Sequence, residues 1–174
     1  VSRLDRDAVV RAAITLADER GLGAVGVRQV AERLAVTPMA LYRHVGGKDG
    51  LLDGVADALY AEIELPRRDE DWWDGLEALA HSTRRVLLAH TWSVPLFSRP
   101  LAGQHARALG EALQNALRRA GFSERETDEL HHQLANLVFA LVAPELHART
   151  NRAAFQRGLD MLRAGLEARL TQKR

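Results

Sequence analysis

The chain has 174 residues and not one cysteine. That excludes disulfides and thiolate metal sites, and it suits a reducing compartment. No apolar run is long. The longest, LVFALVA at 137–143, falls far short of the roughly 20 residues that a membrane span needs. The opening VSRLDRDAVV lacks the apolar core of a signal peptide, so a soluble cytoplasmic protein is expected. No alternating β-branched stretch, internal repeat or low-complexity tract is present. Nor is there a nucleophile elbow, a phosphate loop or an HExxH pair. Seven histidines invite thoughts of catalysis, but His131-His132 diverge by about 100° on a helix, and Glu145 and His147 by about 200°. No catalytic, metal or cofactor constellation is read.

What is present has helical period nearly throughout. Hydrophobic residues make up 47% and charged residues 27%, the balance of an ordinary globular chain. Asp5 is placed to cap a first helix reaching about Arg20, with Gly21 ending it. A second helix is expected over Val27–Leu34, and a third opens at Thr37-Pro38, a capping residue followed by a proline that sacrifices no needed hydrogen bond. A fourth runs from Lys48 to about Glu64, stopped by Pro66. Others are expected over 71–90, over 103–120 and from the capping box Ser123-x-x-Glu126 to about Ala143, and the last covers about Asn151–Leu170. Pro95 and Pro100 break the segment between them into short pieces. The fold class is therefore all-α, with about nine helices.

Charge is unevenly spread. Residues 1–48 hold eight Lys/Arg against five Asp/Glu, whereas the remainder holds sixteen against eighteen. A basic front on an acidic body fits a nucleic-acid contact confined to one end. The third helix is the place to look. It is short, it carries Tyr42, Arg43 and His44, and it breaks at Gly46-Gly47 before Lys48. With the second helix it makes a helix-turn-helix, whose second helix meets base edges with its N-terminal residues. Thr37, Pro38, Met39 and Ala40 form the leading end, where methyl and thioether groups suit thymine methyls. Tyr42, His44 and Lys48 suit phosphates, Arg43 a phosphate or a guanine, and Arg28 either kind of contact. Spacing alone leaves the plain alternatives open, with Tyr42 as a packed aromatic, Met39 as core filler, and Lys48 and Arg28 as solvated charges.

The run VRQVAERLAVTPMALYRHVGGKDGLL, above all LYRHV followed by Lys48 and Leu51-Leu52, closely resembles the DNA-binding domain of TetR-family transcriptional repressors. The stretches WWDGLEALA, GFSERETDELHHQLANLVFAL and FQRGLDMLRAGLEARL resemble the C-terminal domain of the tetracycline-repressor-like branch. The resemblance covers almost the whole chain. It implies a helix-turn-helix domain over residues 1–47 and a ligand-binding and dimerisation domain over 48–174. It further implies a homodimer that binds a near-palindromic double-stranded DNA operator and lets go when a small-molecule effector binds. A constitutive DNA-binding regulator without an effector, or a small all-α enzyme, are the competing readings.

Three departures from the family pattern stand out. Ala35 replaces a frequent glycine at the helix-turn-helix turn, at a cost of about 1–2 kcal/mol if it is left-handed. Gly26 stands where a Ser or Thr often caps the second helix. In VPLFSRP, residues 94–100, Pro95 and Ser98 occupy the places of a His and a Thr that help tetracycline-binding members hold drug and magnesium. Proline has no lone pair to offer a cation, so magnesium–tetracycline is not expected to bind.

Two further sets are candidates. His81, Trp92, Phe97, His105, Asn136 and Phe139 mix rings with polar groups, as a ligand pocket does. Leu130, Leu134, Leu137 and Leu141, with Leu159, Leu162 and Leu166, form more apolar stripe than a monomer of this size needs. Gly158 and Gly165, one heptad apart, suit close approach in a four-helix dimer interface.

Overall fold

The computed structural model describes residues 4–67, 69–97, 103–148 and 152–172. Within them are nine α-helices and no strand: α1 (Arg6–Arg20), α2 (Val27–Arg33), α3 (Pro38–Val45), α4 (Lys48–Ala61), α5 (Trp72–Ala89), α6 (Val94–Phe97), α7 (Gln104–Ala120), α8 (Glu124–Ala148) and α9 (Arg152–Thr171). Single 3₁₀ turns lie at Leu22–Ala24 and Thr91–Ser93. None of these helices is long and apolar enough to cross a membrane.

The chain divides into two compact units, one from residues 1–62 and 90–107, the other from 63–89 and 108–174. In the first, α1 packs on α2, α3 and α4, and α4 also packs on α6. Val9, Ala13, Val30, Leu41, Leu51, Val55 and Leu59 are fully enclosed in its core. In the second, α8 packs on both α5 and α9. Trp73 is buried there while its neighbour Trp72 is half-buried, as the helical angle between adjacent residues requires.

Local chemistry explains most helix ends. The Asp5 carboxylate accepts the Ala8 amide at 2.7 Å, and Gly21 closes α1. The capping box is realised, with the Ser123 amide donating to the Glu126 carboxylate at 3.0 Å and the Glu126 amide to the Ser123 hydroxyl oxygen at 3.5 Å. Two ends differ from expectation. Helix α4 stops at Ala61 rather than near Glu64. Pro66 disfavours helical backbone at Leu65, and the Glu64 amide turns to donate to the Ser82 hydroxyl at 2.8 Å. Helix α8 does not end near Ala143 but runs through Pro144 to Ala148. Proline there forfeits one backbone hydrogen bond, yet the next residue, Glu145, is held by Arg84 of α5 through a two-pronged ion pair, one arm 2.8 Å long. That pair fixes the turn beyond the proline and raises the Arg84 pKa above its ordinary value.

Candidate nucleic-acid interface

Helix α3 has eight residues, too few to be stable alone. Tertiary packing holds it. Leu41 and Val45, four apart on one face, are buried, at 0% and 5% exposure. The Thr37 hydroxyl oxygen accepts the Ala40 amide at 3.3 Å, and Gly46 ends the helix in the left-handed region at φ 68°. With two residues committed inward, the rest of the helix is presented outward. Met39 is 72% exposed and Tyr42 48%, and Thr37, Pro38 and Arg43 are exposed while Ala40 and His44 are half-buried. Met39 is therefore not core filler, and Tyr42 is not an enclosed aromatic.

Charge on this face is free for a partner. Arg28, near the start of α2, and Lys48, at the start of α4, are exposed. Among the described residues no ion pair involves Arg28, Arg43 or Lys48. Arg33, by contrast, is tied to Glu19 by hydrogen bonds of 2.6 and 2.7 Å. That bond lowers the Glu19 pKa and raises that of Arg33, and it fastens α2 to α1. An exposed helix tip, apolar at its leading end and flanked by unpaired cations, is suited to a major groove between two phosphate rows.

The turn before α3 contains one strained residue. Ala35 sits at φ 52°, the left-handed region that its Cβ disfavours. Ala35→Gly removes a penalty of about 1–2 kcal/mol and returns part of it as unfolded-chain entropy, about 0.4–1 kcal/mol. A gain of up to about 1 kcal/mol is expected in urea unfolding, and an unchanged or lower midpoint contradicts it.

Comparisons with known proteins agree with this geometry. Residues 9–55 match the family Bacterial regulatory proteins, tetR family, and residues 65–168 match Tetracyclin repressor-like, C-terminal domain. The chain belongs to the TetR family. An HTH-type transcriptional regulator of Saccharopolyspora erythraea is 38% identical over 82% of this chain, which covers 61% of that protein's length. BioQ of Mycobacterium smegmatis superposes with a TM-score of 0.86 at 28% identity, over 95% of this chain and 99% of the other. BioQ solved with its natural double-stranded DNA operator gives 0.77 at 29% identity over the same shares. A single-residue variant of TetR from Acinetobacter baumannii AYE, in complex with minocycline, gives 0.84 at 30% identity, over 97% of this chain and 99% of that one.

The ligand candidates suggested for this TetR-family chain fall in two units. In the first unit, the Trp92 indole N–H donates to Asp18 at 2.6 Å. The Phe97 ring stands edge-on to Tyr60, whose hydroxyl is pushed up to about 12 by burial. His105 donates to Asp57. In the second unit, His81 is hydrogen-bonded to Gln156 at 3.0 Å and stands edge-on to Phe155, Asn136 is exposed, and Phe139 is half-buried. Pro95 is exposed on α6, and Ser98 lies outside the described residues.

The leucine stripes divide. Leu130, Leu134, Leu159 and Leu166 are buried within the chain. Gly158 serves the contact of α8 with α9, since a Cβ there would stand 2.3 Å from Leu141. Gly165 faces open space beside the half-buried Leu162 and the exposed Leu137, while Leu141 itself is half-buried. Leu137, Leu162 and Gly165 line an open groove between α8 and α9, and sequence reasoning missed a further lining residue, Met161, 76% exposed. Its spacing from Leu162 gave no sign that the open face lay on its side.

Proposed function

We propose that this chain is a small-molecule-responsive transcriptional repressor that reads a near-palindromic operator as a homodimer. The exposed tip of α3, with Met39 and Tyr42 outward and Arg28, Arg43 and Lys48 unpaired around it, carries the reading. The operator complex of BioQ and the minocycline complex of a TetR variant support it by analogy of fold. Thr37, Pro38, Met39 and Ala40 meet bases, while Tyr42, His44 and Lys48 meet phosphates and Arg28 and Arg43 serve either role. Residues 1–47 form the reading domain and 48–174 the ligand and dimer domain. The chain acts in the cytoplasm and has no catalytic role. Selection from a random duplex pool tests this. Enrichment of inverted repeats with half-sites about one helical turn apart is expected, and a pool that never converges rejects the proposal.

Dimerisation through α8 and α9 follows from the open groove. Leu137→Asp with Met161→Asp places two carboxylates where a second copy must pack. Sedimentation is expected to show the dimer dissociation constant rising about a hundredfold or more, on the order of 2.8 kcal/mol. An unchanged constant moves the interface elsewhere.

The effector is not magnesium–tetracycline. The Pro95 side chain offers no lone pair where a histidine would, and titration with drug plus magnesium is expected to show no binding at micromolar concentration; a micromolar isotherm refutes this. One observation favours a regulator without an effector, namely that His81, Trp92, Phe97 and His105 are each engaged by neighbouring side chains. A metabolite screen for operator release separates the two readings.

A further inference from the structure

We propose that Asp57 is a positioning residue that ties the first turn of α7 to the DNA-reading helix. This rests on the DNA-binding reading above and extends it to regulation. The first amides of any helix lack partners within it and call for a cap. Gly103, the residue before α7, has no side chain to provide one. The cap comes instead from α4. Asp57 Oδ1 accepts the backbone N–H of His105 at 2.9 Å and of Ala106 at 3.2 Å, and Oδ2 accepts the His105 Nδ1–H at 3.0 Å. On the far side of the same ring, Gln104 Nε2 stands 3.4 Å from His105 Nε2.

Glycine at 103 is obligatory for this grip. Its φ is 116°, and a Cβ there would lie 2.1 Å from Asp57 Oδ1. A Ser or Asp at that position would drive its Cβ into the Asp57 carboxylate and push it off the α7 amides. Borrowing the cap from α4 makes the two elements depend on each other. Burial alone would raise the Asp57 pKa, but the bonds from the His105 ring and from the Ala106 and His105 amides outweigh it and hold the carboxyl below its ordinary value.

The grip reaches the reading face in two steps. Helix α4 begins two residues after α3 ends, and Gly50 of its first turn lies so close to the Val45 carbonyl of α3 that no Cβ fits between them. At the other end, α7 is one continuous helix, with residues 104–107 grouped with α1–α4 and the rest, from Ala108, in the second unit. A change that draws the first turn of α7 from Asp57 therefore loosens α4, and α3 with it. A loosened α3 must be reordered on DNA, and operator affinity falls.

The test compares Asp57→Asn with Phe155→Leu, a core change in the second unit chosen for a similar loss of melting temperature. Hydrogen exchange and operator affinity are read on both. Asp57→Asn is expected to lose amide protection at 103–107 and also at 38–45, and to bind the selected operator about fivefold or more weakly. Phe155→Leu should do neither. Exchange loss confined to 103–107, or equal weakening of DNA binding by Phe155→Leu, overturns the proposal. If the wild type selects no duplex, the DNA-binding reading fails while exchange still decides the coupling. If Asp57→Asn does not fold, native-state exchange of the wild type in rising urea decides it. Opening of 104–107 and 41–45 as one unit supports the tie, and separate openings overturn it.

Discussion

The double variant Tyr42→Ala, Lys48→Ala is expected to bind the selected operator about a hundredfold more weakly at physiological salt while keeping its helicity. Each residue is assigned a phosphate, and a charge-assisted or hydroxyl contact of that kind contributes about 1–2 kcal/mol, which multiplies to about two decades for independent sites. Folding should be nearly untouched, because Tyr42 is 48% exposed and α3 is held from its other face by Leu41 and Val45. The salt dependence separates the two roles. Lys48→Ala alone should reduce the slope of log affinity against log salt by about 1, for one lost counterion release. Tyr42→Ala alone should lower affinity and leave the slope in place, since a phenol displaces no cation. A double variant that binds as wild type, or a slope indifferent to Lys48, would remove this face from the interface.

The reading helix was legible because its determinants are local. Thr37-Pro38 announces the start, Leu41 and Val45 give the inward stripe, and Gly46-Gly47 gives the stop, all within eleven residues. The same locality made Asp5, Gly21 and the Ser123–Glu126 box readable. What escaped was set by partners far along the chain. Nothing in the local sequence distinguishes Asp57 from the other polar residues of α4, and only its contact with His105, 48 positions away, gives it a role. His81 was read as available to a ligand, but Gln156, 75 positions on, engages it. Helix α8 outlasts Pro144 because Arg84, 61 residues earlier, holds Glu145. The leucine stripes were visible, but which members face α9 and which face an open groove depends on the crossing of two helices. Gly158 and Gly165 show this most plainly, since two glycines one heptad apart meet a leucine and open space respectively.

Gly50→Ala is expected to be the most damaging small substitution for DNA binding. The position is helical with ordinary backbone, so nothing in its own φ demands glycine. The demand comes from α3. A Cβ at residue 50 would lie 2.0 Å from the Val45 carbonyl oxygen, well inside any real contact, and a backbone carbonyl cannot rotate away as a side-chain tip does. Either α4 shifts or the last turn of α3 does. Overpacking of this kind costs about 1–3 kcal/mol, and the displacement falls on the helix whose Met39 is proposed to meet base edges and whose Tyr42 is proposed to meet a phosphate. Operator affinity should drop about tenfold or more beyond what the lost stability explains. Gly54→Ala is the fitting comparison. Its Cβ would meet a Val10 methyl at 2.9 Å, the end of a side chain on α1, and α3 is not involved. Both variants should melt earlier, but only Gly50→Ala should lose the operator once folded protein is counted. Equal loss in the two would mean that the angle between α3 and α4 does not set the reading geometry, and that the exposed tip of α3 meets DNA in some other way.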